Sequence, residues 1–110
     1  MRVQPFVLAV LLSLGVLFTP ASGVPVAPPG TDKLVHLGVF ALLAVTGRIA
    51  EIRTWPLLGG LAVYAAASEV LQAVLPLGRS GDLVDGLVDV AGAALGLVLY
   101  AAVARRRSAA

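Results

Sequence analysis

Set into long apolar stretches, the chain carries polar side chains in three groups: Asp32, Lys33 and His36; Glu69 and Gln72; and Arg79, Asp82, Asp85 and Asp89. Carboxylates and an imidazole are the side chains of proton transfer and charge-assisted hydrogen bonding. The planar fork of Arg79 suits a carboxylate or a phosphate. Spacing adds direction to type. Glu69 and Gln72 stand three apart and share a helical face. At about 100° per residue, Asp82, Asp85, Asp89, Gly92 and Gly96 fall within an arc of roughly 80°, one narrow stripe down a helix. Such a stripe faces a partner, because a carboxylate turned to hydrocarbon costs about 2.5–3.5 kcal/mol.

The elements that must position these groups are apolar helices. Of 110 residues, 59% are hydrophobic and 13% charged, and the mean hydropathy is +0.98. That composition is too apolar for an ordinary soluble domain. One domain of all-α class fits, an integral membrane bundle of four transmembrane helices at about 3–19, 33–50, 56–75 and 83–103. Three helices are expected if the first segment is a cleaved signal peptide, a reading that Arg2, the modest apolar stretch after it and Ala21-Ser22-Gly23 also fit. Thr31 or Asp32 is expected to cap the second helix, and Pro56 suits the first turn of the third. Trp55 and Tyr100 read as interfacial anchors. Gly92 and Gly96 form a small-xxx-small pair that lets a neighbouring backbone come close.

Orientation follows from the positive charges. Arg2, Arg48, Arg53 and Arg105 to Arg107 belong to one side of a four-helix arrangement, and only Lys33 and Arg79 to the other. Both termini are therefore expected in the cytoplasm. This places Asp32, Lys33, His36, Glu69, Gln72, Arg79, Asp82, Asp85 and Asp89 together on the outer side. There, five carboxyls outnumber two fixed cations. Glu69 and Asp89 each lie about 9 Å inside their helix ends at 1.5 Å per residue, so they are expected to meet below the headgroups.

Composition also excludes several functions. With no cysteine there is neither a disulfide nor thiol chemistry. Although the pI is about 9.7, the basic residues are scattered and aromatics are few, so no nucleic-acid partner is expected. One histidine among carboxyls is a poor zinc signature, and neither metal nor cofactor is expected. Ser68 and Ser80 have no supporting pattern for a nucleophile.

Asp32-Lys33-x-x-His36, Glu69-x-x-Gln72 and Arg79-x-x-Asp82-x-x-Asp85-x-x-x-Asp89-x-x-Gly92-x-x-x-Gly96, in this order on small membrane helices, resemble the VanZ-like family. The resemblance spans Asp32 to about Tyr100. It departs at Asp89, where the family's pattern usually has Asn, so a role that needs a neutral amide does not carry over. The resemblance implies a multi-pass protein of the bacterial cytoplasmic membrane in a cell-envelope setting, and the family's founding member is associated with resistance to the glycopeptide teicoplanin.

Three classes of function follow. In the first, an outward polar vestibule binds a glycopeptide, a cell-wall precursor or a lipid headgroup and contributes to glycopeptide resistance. The second is a membrane hydrolase or transferase with Glu69 or Asp89 as base, His36 as acid and Arg79 as clamp. The third is a structural subunit whose polar cluster holds the helices in register. Simple structural roles compete at several positions: Asp32 and Lys33 as cap and anchor, Asp82 and Asp85 as partners of a helix dipole, and Arg105 to Arg107 as contacts to lipid headgroups. Membrane lipid is the one partner common to all three, and the oligomeric state stays open.

Overall fold

The computed structural model describes residues 2–18, 30–75 and 83–109. Among them are four helices: α1 (Gln4–Phe18), α2 (Thr31–Ile49), α3 (Thr54–Val74) and α4 (Leu83–Ala109). These are the four expected segments, with bounds shifted by one or two residues except at the end of α4. There the helix runs six residues past the expected 103 and takes in Arg105, Arg106 and Arg107. Arginine is a good helix former, and cations in a last turn are favoured by the helix dipole.

The start of α2 also differs from expectation. Gly30 is the N-cap, at φ 88°, and no side chain caps the helix. Thr31 and Asp32 lie inside the first turn, where Asp32 is exposed and still gains from the positive helix end.

The α2–α4 contact is the most extensive in the molecule. Its cause is the glycine pair. A Cβ at Gly92 would run into the carbonyl oxygen of Leu37, and one at Gly96 into that of Ala41, with Ala44 Cβ only 2.9 Å away. Only hydrogen allows this approach at the two glycines of the small-xxx-small spacing. Val39, Phe40, Leu43 and Ala44 of α2, Ala93 of α4, Ala9 and Leu17 of α1 and Leu57, Leu61 and Ala65 of α3 form one buried core. Phe40 and Tyr64 pack at 5.7 Å between ring centroids, a favourable aromatic separation.

α1 is tied into this bundle by polar contacts. Ser13 and Tyr64 hydroxyls lie 2.9 Å apart, and Gln72 Nε2 donates to Leu17 O at 2.7 Å.

Between α2 and α3 the chain turns by a Schellman arrangement, Ile52 N–H to Gly47 O at 3.0 Å and Glu51 N–H to Arg48 O at 2.9 Å. It puts Glu51 at φ 68°, a left-handed conformation usually given to glycine.

Two of the helices, α3 and α4, are long and apolar enough to cross a membrane. Their surfaces agree: Val63, Val70, Val74, Leu83, Leu87 and Val98 are all more than 60% exposed, a density of outward apolar side chains that hydrocarbon, not water, accommodates. Length and surface in these two helices are those of membrane spans, and the long dimension of 49 Å compares with about 40–45 Å for a bilayer with its headgroups.

Candidate functional site

The parallel run of α2 and α4 brings their opening turns to the same level. In α2, Lys33 and His36 are three apart, and in α4, Asp85 and Asp89 are four apart, so each pair shares a helix face. The two faces meet. Lys33 Nζ donates to Asp85 Oδ1 at 2.7 Å, with the lysine side chain 38% and the aspartate 13% exposed. One turn deeper, His36 Nδ1 lies 2.8 Å from Asp89 Oδ1, in a pair 4% and 0% exposed. With Asp89 ionised, the imidazole N–H is the donor.

Glu69 joins the pair from α3. Its side chain packs against Gly86 of α4, where a Cβ would sit 3.4 Å from Glu69 Cγ. One donor atom each from His36, Glu69 and Asp89 lies within 4.8 Å of the others, a spacing that admits a metal ion. Asp89 Oδ2 is buried and has no hydrogen-bond partner among the described residues. Burying a carboxylate oxygen in this way is expensive. A side chain of this kind, enclosed in the bundle beside a histidine and a second carboxyl, is where chemistry or ligand contact is to be looked for.

The other expected site residues fall into three groups. Asp32 is exposed at the start of α2. Gln72, although it shares a helical face with Glu69, spends its amide N–H on Leu17 O, one of the carbonyls that the end of α1 leaves without an intrahelical partner. Arg79 and Asp82 lie outside the described residues. Of the expected residues, the structure thus gathers Lys33, His36, Glu69, Asp85 and Asp89, and gives Gly92 and Gly96 the task of holding α4 against α2.

The opposite end of the bundle is built otherwise. Arg2 meets Glu51, Arg48 donates to Ile52 O at 2.8 Å, and the Arg48 guanidinium lies 5.1 Å from the Tyr100 ring centroid. Sequence reading assigns Tyr100 to the membrane interface alone and passes over this cation–π contact, which joins residues 52 positions apart and leaves no local spacing signal. The Ser13–Tyr64 bond escapes notice for the same reason. The meeting of His36, Glu69 and Asp89 is expected from the sequence, where one histidine among carboxyls nevertheless reads as a poor metal signature.

A model of the family described as VanZ/LLP1 matches residues 6–104, from the first turn of α1 to the arginines of α4. No curated protein and no solved structure matches the chain.

Proposed function

The chain belongs to the VanZ/LLP1 family, and from that premise we propose that it is a cell-envelope membrane protein that binds the polar part of a cell-wall precursor, glycopeptide or lipid headgroup at the His36, Glu69 and Asp89 cluster. One observation carries this reading: a fully buried aspartate paired with a histidine, with a second carboxyl beside it, inside an otherwise apolar bundle. A membrane protein that only needed packing would fill those positions with apolar side chains at no cost in desolvation.

The half-exposed Lys33–Asp85 pair supplies the entrance. An ammonium there meets an anionic headgroup, while the carboxyls of Glu69 and Asp85 accept from hydroxyl, amide or ammonium donors. In this reading the cluster faces outward and all four helices span the bilayer of the cytoplasmic membrane. The basic positions Arg2, Arg48, Arg53 and Arg105 to Arg107 then take the cytoplasmic side with both termini. A contribution to glycopeptide resistance follows if the bound precursor is the antibiotic's target.

The test is saturable binding of a lipid-linked cell-wall precursor to purified protein in nanodiscs. Wild type is expected to bind, and Glu69→Gln to bind at least roughly tenfold more weakly at equal folded yield, the loss of one charge-assisted contact. Equal binding by the two proteins would defeat the proposal.

A second reading is favoured by one feature of the same geometry. A carboxylate that holds one imidazole nitrogen leaves the other free to exchange a proton, and the His36–Asp89 contact has this form. A hydrolase or transferase in which His36 acts as acid and Glu69 as base would show turnover of a lipid-linked precursor by wild type and none by Glu69→Gln. Binding without turnover leaves the first reading standing alone.

A further inference from the structure

We propose that His36, Glu69 and Asp89 form a binding site for one divalent first-row metal ion. The inference goes beyond the binding function above, since it concerns a site the protein builds from its own side chains whatever headgroup approaches.

The first argument is convergence. Three helices each contribute one donor, and the donor atoms lie within 4.8 Å of one another. Ligand atoms about 2.1 Å from an ion are roughly 3.0 Å apart when neighbouring at a right angle and about 4.2 Å apart when opposite. The 2.8 Å between His36 Nδ1 and Asp89 Oδ1 is already close to the separation of neighbouring ligands; the ion takes the place of the Nδ1 proton, the neutral ring keeps its proton on Nε2, and a small inward movement of Glu69 completes the set. Glu69 stands beside Gly86 of α4, whose lack of a Cβ leaves space next to the glutamate side chain.

The second argument is independent of spacing. Asp89 is 0% exposed, and its Oδ2 is buried without a hydrogen-bond partner among the described residues. Such an oxygen is satisfied by coordination, and the close α2–α4 packing at Gly92 and Gly96 fixes the register that holds it beside the imidazole.

Charge and donor type then select the ligand. Two carboxylates and a neutral imidazole carry a formal charge of −2, which a divalent ion brings to zero inside the bundle. An imidazole with carboxylate oxygens suits Mn²⁺, Fe²⁺, Co²⁺ or Zn²⁺, whereas Ca²⁺ and Mg²⁺ prefer oxygen alone. Three protein ligands leave at least one position for water or for an oxygen of a bound molecule. The Lys33–Asp85 pair one turn nearer the helix ends is itself neutral and so neither repels nor holds the ion.

Mn²⁺ is the probe that tests this. The full chain is purified in nanodiscs with any affinity tag removed, stripped with a chelator and titrated with MnCl₂. The chain contains a single histidine, so labelling histidine with ¹⁵N makes any nitrogen coupling in the Mn²⁺ electron paramagnetic resonance spectrum a report on His36 alone. One ion per chain with ¹⁵N coupling is expected, and Asp89→Asn and Glu69→Gln should each weaken binding at least roughly tenfold. Should either variant fail to fold, the coupling in wild type decides the matter. Absence of saturable binding, binding without nitrogen coupling, or binding unchanged in both folded variants would each overturn the proposal. Because no headgroup ligand is present, the outcome is separate from that of the precursor-binding test.

Discussion

The two ends of this bundle use polar residues in opposite ways. At one end Lys33, His36, Asp85, Asp89 and Glu69 turn inward, and their burial deepens from the 38% exposed lysine to the fully enclosed Asp89. At the other end the Arg2–Glu51 pair is 72% and 68% exposed, and Arg105 to Arg107 are exposed on the last turns of α4. The same kinds of charged group are present in both places, but solvent screens one set and the bundle encloses the other. An exposed ion pair contributes little, while an enclosed one makes each partner depend on the other. In the proposed reading the arginine end anchors, and the carboxylate end meets the ligand.

Substitutions at the two ends should differ accordingly. The largest effect is expected from Asp89→Ala, which leaves His36 buried without its carboxylate. A destabilisation of about 3–5 kcal/mol is predicted, read as loss of folded protein in a denaturation series in lipid. Gly92→Ala comes next. Its methyl would meet the Leu37 backbone, with the carbonyl carbon 3.0 Å away, so α2 and α4 must separate, at about 1–3 kcal/mol. That separation should also loosen the His36–Asp89 contact.

At the arginine end, Arg48→Ala removes the stacking on Tyr100 and the bond to Ile52 O, and about 1 kcal/mol is expected. Glu51→Gly should have the opposite sign. It relieves a left-handed residue and raises the melting temperature by an amount equivalent to about 1 kcal/mol, because the exposed pair with Arg2 that it sacrifices contributes little. If Arg48→Ala proved as damaging as Asp89→Ala, the contrast between the ends would fail.

Much of this was legible in the sequence. Four apolar segments, the stripe of Asp85, Asp89, Gly92 and Gly96 on one helix, and the gathering of Lys33, His36 and Glu69 near the same level all follow from helical periodicity and alternating direction. Local signals did less well where backbone or distant partners decide. Thr31 and Asp32 look like caps, yet Gly30 takes that place through its left-handed backbone. Glu51 gives no hint of a left-handed turn, since its residue type argues against one. Gln72 looks like a member of the polar site, but its amide answers a free carbonyl at the end of α1. That need arises only when two segments far apart in the chain are packed together. Pairs such as Ser13 with Tyr64 and Arg48 with Tyr100 belong to the same category.

The central claim is that the enclosed carboxylate end, not the arginine end, is where the protein meets its ligand. The most direct measurement compares the melting temperature of wild type, Glu69→Gln and Arg106→Gln in nanodiscs, each with and without a lipid-linked cell-wall precursor. A ligand present at about one hundred times its dissociation constant stabilises the folded state by about 2.7 kcal/mol. That shift is expected in wild type and Arg106→Gln, and is expected to vanish in Glu69→Gln while its melting temperature without ligand stays measurable. A shift kept by Glu69→Gln and lost by Arg106→Gln would contradict the account and move the site to the other end of the bundle.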